Sequence, residues 1–406
     1  MNRELVSNIL FTVGVLFFFT GIFFSRAMLS FSPGFMLAAT FIRPNFLKHV
    51  RSFAFMKRAL IPISLYLLLI LSFFHSDNSQ NWSTLLFRNL PMLIFPFCFS
   101  FFREMNSNWR KYIIFFMFLC ANIVAALTLI EFLSHYTYYT QLIRHSQNIQ
   151  AVGGLFHIHF GVLMAICIFF SYDFIRHDKS LSVFERSWVY FTGIFLLIAL
   201  HVFAFRTGIL ALYATAGVEI IILVVTQRKY VLGVSLLVMM LAFPMLAYHL
   251  IPSVKQRVGN TLYDISRYRN GQDINYYSIS QRFAAWENAS HILERNWLIG
   301  VSPADLETEM MKQYEIKDFG LIPHNRVLIH NQYIFYAVCY GILGLMVFLW
   351  FLIKPLVHGL KTRQYKLVYF ISIISAAFMV DTLLELQTGM NLVIFLYCFL
   401  FVADPS

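Results

Sequence analysis

A polar stretch gives way to a long apolar one at residues 330–350, which read HNQYIFYAVCYGILGLMVFLW. The preceding residues 251–328, called the polar segment below, carry nine basic and nine acidic residues. On both sides of this segment, apolar runs of about 17 to 25 residues recur, each long enough to cross a hydrocarbon core of roughly 30 Å. The pattern predicts a membrane protein with one large polar segment between two of its spans.

The composition places the chain among polytopic membrane proteins. Of its 406 residues 59% are hydrophobic, and the mean hydropathy is +0.67, far above the values of water-soluble domains. We predict an all-α polytopic membrane protein with about 12 transmembrane helices and one large periplasmic loop that contains amphipathic helices. The predicted spans are 8–24, 28–42, 59–74, 84–102, 112–133, 155–175, 188–204, 207–226, 230–250, 329–353, 367–384 and 389–403.

These spans define a single membrane domain with one insertion. Residues 1–250 hold helices 1–9, residues 251–328 form the large loop, and residues 329–406 hold helices 10–12. Lys and Arg alternate between the connections: eighteen fall on the side of the N-terminus, and only Arg26, Arg88, Arg144 and Arg206 in the short connections on the other side. Because these residues accumulate in cytoplasmic loops, we expect both termini in the cytoplasm and the polar segment outside. The net charge of +11 is then an orientation signal, and no nucleic-acid partner is expected.

Several kinds of site are not expected. All five cysteines fall inside predicted spans without CxxC spacing, which argues against disulfides and a zinc site. No GxxxxGK[ST] loop is present, so nothing indicates nucleotide hydrolysis. We predict no metal and no cofactor, and any chemistry must use an activated substrate. No half-to-half symmetry of interrupted helices is visible, which weighs weakly against a transporter.

Within the polar segment, Ser278 to Trp297 is predicted to form an amphipathic helix on the membrane surface. Ser278 or Ser280 is expected to cap its start. Arg282 lies one turn before Trp286, on or beside the apolar side of this helix. That is an unusual position for a solvated charge.

Arg206 lies between two apolar runs in FAFRTGIL, residues 203–210. A charge at the edge of a bilayer normally faces a partner or an aqueous cavity. The alternative is an arginine that snorkels to the interface at a helix end. Position alone does not separate the two interpretations.

His330 lies where the polar segment returns to the membrane, just after His324, Asn325 and Arg326. An imidazole can take a proton from a hydroxyl, and guanidinium groups match phosphate oxygens in bidentate geometry. Two arginines and a histidine at one membrane face therefore suit the displacement of a diphosphate from a sugar. Taken singly, a histidine at a helix start is more often a cap or interface residue. Four further residues, Arg144, His145, His157 and His159, lie on or near the preceding outer connection. They line an entry path for an acceptor in one interpretation and are interface residues in the other, which is the more frequent case.

These residues together resemble the O-antigen ligase and O-antigen polymerase superfamily. The resemblance rests on Arg206 with its apolar span, on RFAAW at 282–286, and on His330-Asn331 followed after nine residues by Gly341 and then Gly344. It is specific over about residues 200–344 and rests on span count elsewhere. The chain departs from the family pattern at Trp286, where Leu is usual, and at Ser302, where many relatives have a second Gly.

The resemblance implies a membrane-embedded glycosyltransferase of the C type in a bacterial inner membrane, with its active site at the periplasmic face. The donor would be a glycan on undecaprenyl diphosphate, and the acceptor a hydroxyl of lipid A-core in ligases or of another lipid-linked glycan in polymerases. Arg206 and Arg282 would bind the diphosphate, and His330 would act as the general base, with inversion at the anomeric carbon. Asn331, Arg326 and His324 would be possible second contacts. Asn331 is equally explained as a helix cap, and the two glycines as sites of close helix packing.

Metal-dependent relatives would carry an acidic motif in the first outer loop, and residues 25–34 contain no carboxylate. Three functions stay open: O-antigen ligation, favoured by the His-Asn spacing to Gly341; polymerisation; and a lipid-linked glycan flippase. A protein O-oligosaccharyltransferase would usually be longer. A flippase should carry charges at several depths and at both faces, whereas Glu131, Glu219, Asp381 and Glu385 lie near span ends or alone. Asp381 and Glu385 are candidates to pair with a catalytic arginine.

Overall fold

The computed structural model describes residues 2–53, 56–103, 105–144 and 149–404, and all regular secondary structure in them is helical. Single turns of 3₁₀- or π-helix extend or separate some of the helices. The helices are α1 Arg3–Phe24, α2 Arg26–Ile42, α3 Phe46–Phe53, α4 Lys57–Leu71, α5 Ser79–Arg88, α6 Pro91–Phe101, α7 Ser107–Ser134, α8 Tyr136–Arg144, α9 His157–His177, α10 Val183–Val202, α11 Arg206–Ile221, α12 Tyr230–Leu250, α13 Pro252–Arg269, α14 Ser278–Arg295, α15 Leu306–Ile316, α16 Gln332–Thr362, α17 Tyr365–Phe378 and α18 Gln387–Tyr397.

The predicted class, an all-α polytopic membrane protein, is confirmed. In the described part of the chain, nine helical segments are long and apolar enough to cross a membrane, and three shorter apolar helices, Arg26–Ile42, Tyr365–Phe378 and Gln387–Val402, lie at the second, eleventh and twelfth predicted spans. Two boundaries differ from the prediction. The fourth span is divided into α5 and α6 at Asn89-Leu90, directly before Pro91. The tenth span begins only at Gln332 and continues to Thr362.

Helix α9 lies at the centre of the bundle and packs against α7, α10, α11 and α17. Its contact with α11 is a backbone contact between Gly161 and Gly208: a Cβ atom on Gly208 would lie 2.5 Å from the carbonyl oxygen of Gly161. Only glycine permits so close an approach between two helices. Because both glycines lie about one turn from a helix start, the contact brings His157 and Arg206, the first residues of α9 and α11, together.

In the polar segment α14 packs against α13, α15 and α16, and its buried face is formed by Ala284, Ala285, Ala289 and Ile292. The prediction that Ser278 or Ser280 caps the helix is wrong. Tyr277 occupies the capping position, and its side chain makes no capping hydrogen bond. Instead the Asp264 carboxylate of α13 accepts the N–H of Ile279 at 3.2 Å, and the Ser280 hydroxyl donates to the Asp264 carbonyl at 2.6 Å. The first turn of α14 is therefore fixed by α13.

Helix α16 is broken at Gly341, whose φ of +64° lies in the left-handed region. The turn-rich segment after α14 docks at this break. Ile342 N–H donates to the Trp297 carbonyl at 2.8 Å, and Ser302 N–H to the Cys339 carbonyl at 3.0 Å. A Cβ atom on Gly341 would lie 2.1 Å from the Leu298 carbonyl oxygen. Gly341, which nine residues separate from Asn331, thus fastens the polar segment to the membrane helix that follows His330.

Candidate active site

His330 lies directly before α16, beside the end of α17, because these two helices are antiparallel neighbours. Its ring nitrogen Nδ1 is 3.2 Å from Oδ1 of Asp381, in the connection that follows α17. The His330 side chain is 37% exposed, whereas that of Asp381 is 5% exposed. A partly exposed imidazole is therefore oriented by a buried carboxylate.

The Asp381 carboxylate is kept ionised by its surroundings. Burial alone would raise its pKa, but the hydrogen bond to His330, the charge of Arg282 and the N–H of Thr382 at 2.8 Å lower the pKa below its ordinary value. An ionised carboxylate only accepts hydrogen bonds. Nδ1 of His330 must therefore carry the proton in this contact, which leaves Nε2 of the neutral ring as the acceptor.

Arg282 reaches the same connection from α14. Its Nη1 donates to the Val380 carbonyl at 2.5 Å. Burial lowers the pKa of this guanidinium and the Asp381 carboxylate raises it, with a net lowering, but an arginine stays charged in proteins. The arginine on the apolar side of α14 is thus placed beside the histidine.

Arg206 begins α11 after a tight turn in which Ala204 has a φ of +51°. Arg282 and Asp264 are its charged neighbours. Among the described residues the guanidinium has no hydrogen-bond or ion-pair partner. Of the two interpretations of Arg206, this arrangement favours a group that faces a site.

Arg257 on α13 joins these groups and was not recognised from the sequence. It is 4% exposed and lies beside Arg206; burial and then the Arg206 charge lower its pKa to about 10. A signal was present, because Ser253, Arg257 and Asp264 are spaced by four and seven residues and share one helical face. We refer to Arg206, Arg257 and Arg282 as the arginine cluster.

His157, the first residue of α9, lies within electrostatic range of all three members of the arginine cluster and of Asp381. The sequence alone does not decide whether His157 lines an acceptor path or lies at the membrane interface. The structure places it beside the cluster. His145, considered with it, lies outside the described residues.

The three possible second contacts lie in different surroundings. Asn331 caps α16, since its Oδ1 accepts the N–H groups of Tyr333 and Ile334, and its Nδ2 donates to the Met379 carbonyl at 2.9 Å. His324 is exposed in the turn Pro323–Asn325, with its ring 6.1 Å from that of Tyr276. Within the described residues, no hydrogen bond, ion pair or ring contact joins His324 or Arg326 to His330 or Arg282. The roles of all three in binding stay predictions.

The arrangement combines three cations with an imidazole that is oriented by a carboxylate. Like charges brought together and partly buried repel each other, so a cluster of this kind indicates a site for an anion. Guanidinium groups suit phosphate oxygens in particular. In the described part of the chain no three His, Cys, Asp or Glu side chains come together as ligands for a metal ion.

Residues 191–349 match the family model described as O-antigen ligase. The match confirms the resemblance to the O-antigen ligase and polymerase superfamily, and it contains the arginine cluster, His330 and Gly341. It indicates a glycosyltransferase-like membrane enzyme of the O-antigen ligase or polymerase type. No curated protein matches the chain. His157 and Asp381 lie outside the matched residues and are assigned to the site by geometry alone.

Proposed function

We propose that the protein transfers a glycan from undecaprenyl diphosphate to a sugar hydroxyl at the periplasmic face of a bacterial inner membrane. The acceptor is the lipid A-core, so that the product is lipopolysaccharide. The observation that carries the proposal is the contact of His330 with Asp381 beside the arginine cluster. It combines a base with cations for a leaving diphosphate, which are the two requirements of the reaction.

His330 acts as the general base. Its Nε2 takes the proton of the acceptor hydroxyl while that oxygen attacks the anomeric carbon of the donor sugar. Asp381 holds the ring in the tautomer with Nδ1 protonated and stabilises the imidazolium that forms. Because one displacement occurs at the anomeric carbon, its configuration inverts.

The arginine cluster serves the leaving group. As the new glycosidic bond forms, the bond between the anomeric carbon and the diphosphate oxygen breaks, and that oxygen keeps the electron pair. Undecaprenyl diphosphate leaves with the added negative charge, which Arg206, Arg257 and Arg282 offset. These groups take the part that a divalent cation has in other transferases, so transfer should continue in the presence of a chelator.

A polymerase would use the same donor and the same groups, with the end of a second lipid-linked glycan as acceptor. The spacing of His330-Asn331 to Gly341 supports the ligase. A flippase would bind the diphosphate without a base. A flippase would also need cations at the opposite end of the bundle to bind the diphosphate there. At that end Arg176 pairs with Glu219 and Lys366 with Asp173. Because both cations are already paired, this arrangement supports the enzyme.

The test is a transfer assay with purified protein in liposomes. One sample receives an undecaprenyl-diphosphate glycan with lipid A-core, a second the donor alone, and each is repeated with EDTA. Core-dependent transfer that survives EDTA is the expected result. Lengthening of the donor glycan without core would establish the polymerase instead, and no covalent product with a matched donor would overturn the proposal in favour of a flippase.

A further inference from the structure

A cavity of about 550 Å³ is lined in part by the connection between α17 and α18, which also carries Asp381. Its lining includes residues 153–156 and the side chains of Arg26, Arg88, His159, Glu385 and Gln387. Its volume is within the range of small-ligand sites, roughly 300–1,000 Å³. None of these side chains belongs to the groups assigned above to proton transfer or to the diphosphate.

His159 is the first sign that the cavity is built to hold a ligand. The side chain is 3% exposed, and in the described part of the chain neither ring nitrogen has a hydrogen-bond partner. A buried imidazole without partners is costly. His159 lines the cavity, so a polar ligand there would lie next to this imidazole.

Two arginines give the cavity its charge. Arg26, the first residue of α2, is exposed, and its guanidinium makes no hydrogen bond or ion pair within the described residues. Arg88 forms a long ion pair with Glu385, at 3.4 Å, in which both side chains remain partly exposed. One cation is thus uncommitted and the other weakly held, which favours an anionic ligand.

The cavity is coupled to His330 through a short stretch of chain. Asp381 and Glu385 lie on the same connection, one at each site. Gln332, two residues after His330, donates to Glu385 at 3.3 Å and accepts the N–H of Leu384 at 3.0 Å. A molecule in the cavity would therefore contact the same connection that orients His330 through Asp381 and meets Arg282 at Val380.

We propose that this cavity binds a phosphorylated sugar of the acceptor and so holds the acceptor hydroxyl beside His330. The proposal rests on the proposed function. The donor diphosphate already has the arginine cluster, whereas the acceptor must be fixed by a separate group of side chains. Arg26 binds the phosphate, and His159 and the Glu385 carboxyl group bind sugar hydroxyls.

Direct binding tests the proposal without turnover. Purified wild-type protein in phosphatidylcholine nanodiscs is titrated with released core oligosaccharide that carries its phosphates, and with the same oligosaccharide after phosphatase treatment. Arg26→Gln is compared with Arg269→Gln, an exposed arginine at the end of α13. A third series contains phosphatidylglycerol, whose headgroup offers the same anionic chemistry.

Arg26→Gln should weaken binding of the phosphorylated oligosaccharide about tenfold, while Arg269→Gln leaves it unchanged. Removing the phosphates should weaken wild-type binding by a similar factor, and Arg26→Gln should then have no further effect, as expected for two groups that contact each other. If Arg26→Gln weakens binding of the phosphorylated and the dephosphorylated oligosaccharide equally, or weakens neither, the proposal is overturned. Loss of oligosaccharide binding when phosphatidylglycerol is added would also overturn it, because that result would assign the cavity to a lipid headgroup.

Transfer kinetics separate this proposal from the proposed function. Arg26→Gln should raise the KM for the acceptor while the KM for the donor and kcat change little. A wild-type protein that forms no product would contradict the proposed function, whatever the oligosaccharide binding. If the wild-type protein is active and Arg26→Gln leaves the KM for the acceptor unchanged, only the proposal that the cavity binds the acceptor is contradicted.

Discussion

Gly208 of α11 lies in backbone contact with Gly161 of α9, so that a Cβ atom on Gly208 would be 2.5 Å from the Gly161 carbonyl oxygen. The contact holds the first turns of the two helices together and thereby sets Arg206 beside His157. A pair of glycines near the starts of α9 and α11 thus determines the position of a charged group at the same end of the bundle.

Gly208→Ala should lower both stability and transfer, because the added methyl group would force α9 and α11 apart at a cost of about 1–3 kcal/mol. Gly217→Ala on the same helix is the matched control, since nothing lies within 4 Å of its Cβ position. Thermal unfolding in detergent and the transfer rate measure the two effects. Equal behaviour of the two variants would show that the close approach is not required.

Asp381→Asn should reduce kcat by about 10²–10⁴, the usual contribution of a positioned general base. The amide cannot hold the Nδ1–H tautomer of His330 in the same way, whereas substrate binding by the arginines is retained. Glu294→Gln, with a side chain 72% exposed on α14, is the control. A variant with normal kcat and a flattened pH–rate profile would assign Asp381 a different part in the reaction.

Arg257→Gln should lower kcat/KM for the donor by about 10- to 100-fold, because one charged donor to the diphosphate is lost. The KM for the acceptor should stay near that of wild type. Arg269→Gln on the same helix reports the effect of losing an exposed charge. If Arg257→Gln only lowers the melting temperature, the residue supports α13 and does not bind the donor.

Gly300→Ala should weaken the attachment of the polar segment. Gly300 has a φ of +74°, and its Cβ atom would lie 2.3 Å from the Cys339 carbonyl carbon, so the segment could not dock at the break in α16. We expect a loss of several degrees in melting temperature and of transfer, compared with Gly259→Ala, where nothing lies within 4 Å. Ser302→Gly should fold normally, since Ser302 has a φ of +69° that glycine adopts without strain.

Glu385 should make stability depend on pH. Its side chain is 24% exposed, and desolvation of the rest raises its pKa from the ordinary 4.5 to about 7, against the opposing charge of Arg88. A carboxyl group with a raised pKa contributes stability that is fully present below pH 4.5 and is lost as the pH rises through 7. The melting temperature of wild type should therefore fall between pH 5 and 8 more than that of Glu385→Gln. Parallel curves for the two proteins would contradict this account.

Much of the fold could be predicted because apolar length is a strong signal: the predicted spans correspond to apolar helical segments. The sequence marks Arg206, Arg282 and His330 as candidates because charges at the edges of apolar runs are costly and therefore conspicuous. It marks Asp381 only as a candidate partner for an arginine, since 51 residues separate it from His330 and no local pattern reports that contact. The break in α16 depends on a segment that docks from residues 297–302, so Gly341 alone could not predict it.

The most direct test of the central claim is the rate of transfer by His330→Ala at saturating donor and lipid A-core. The account predicts a rate at least about 100-fold below wild type, with an unchanged melting temperature and unchanged donor binding. Arg206→Ala and Arg282→Ala, assayed beside it, should lose transfer as well. Near-normal turnover in all three variants would contradict the assignment of the active site.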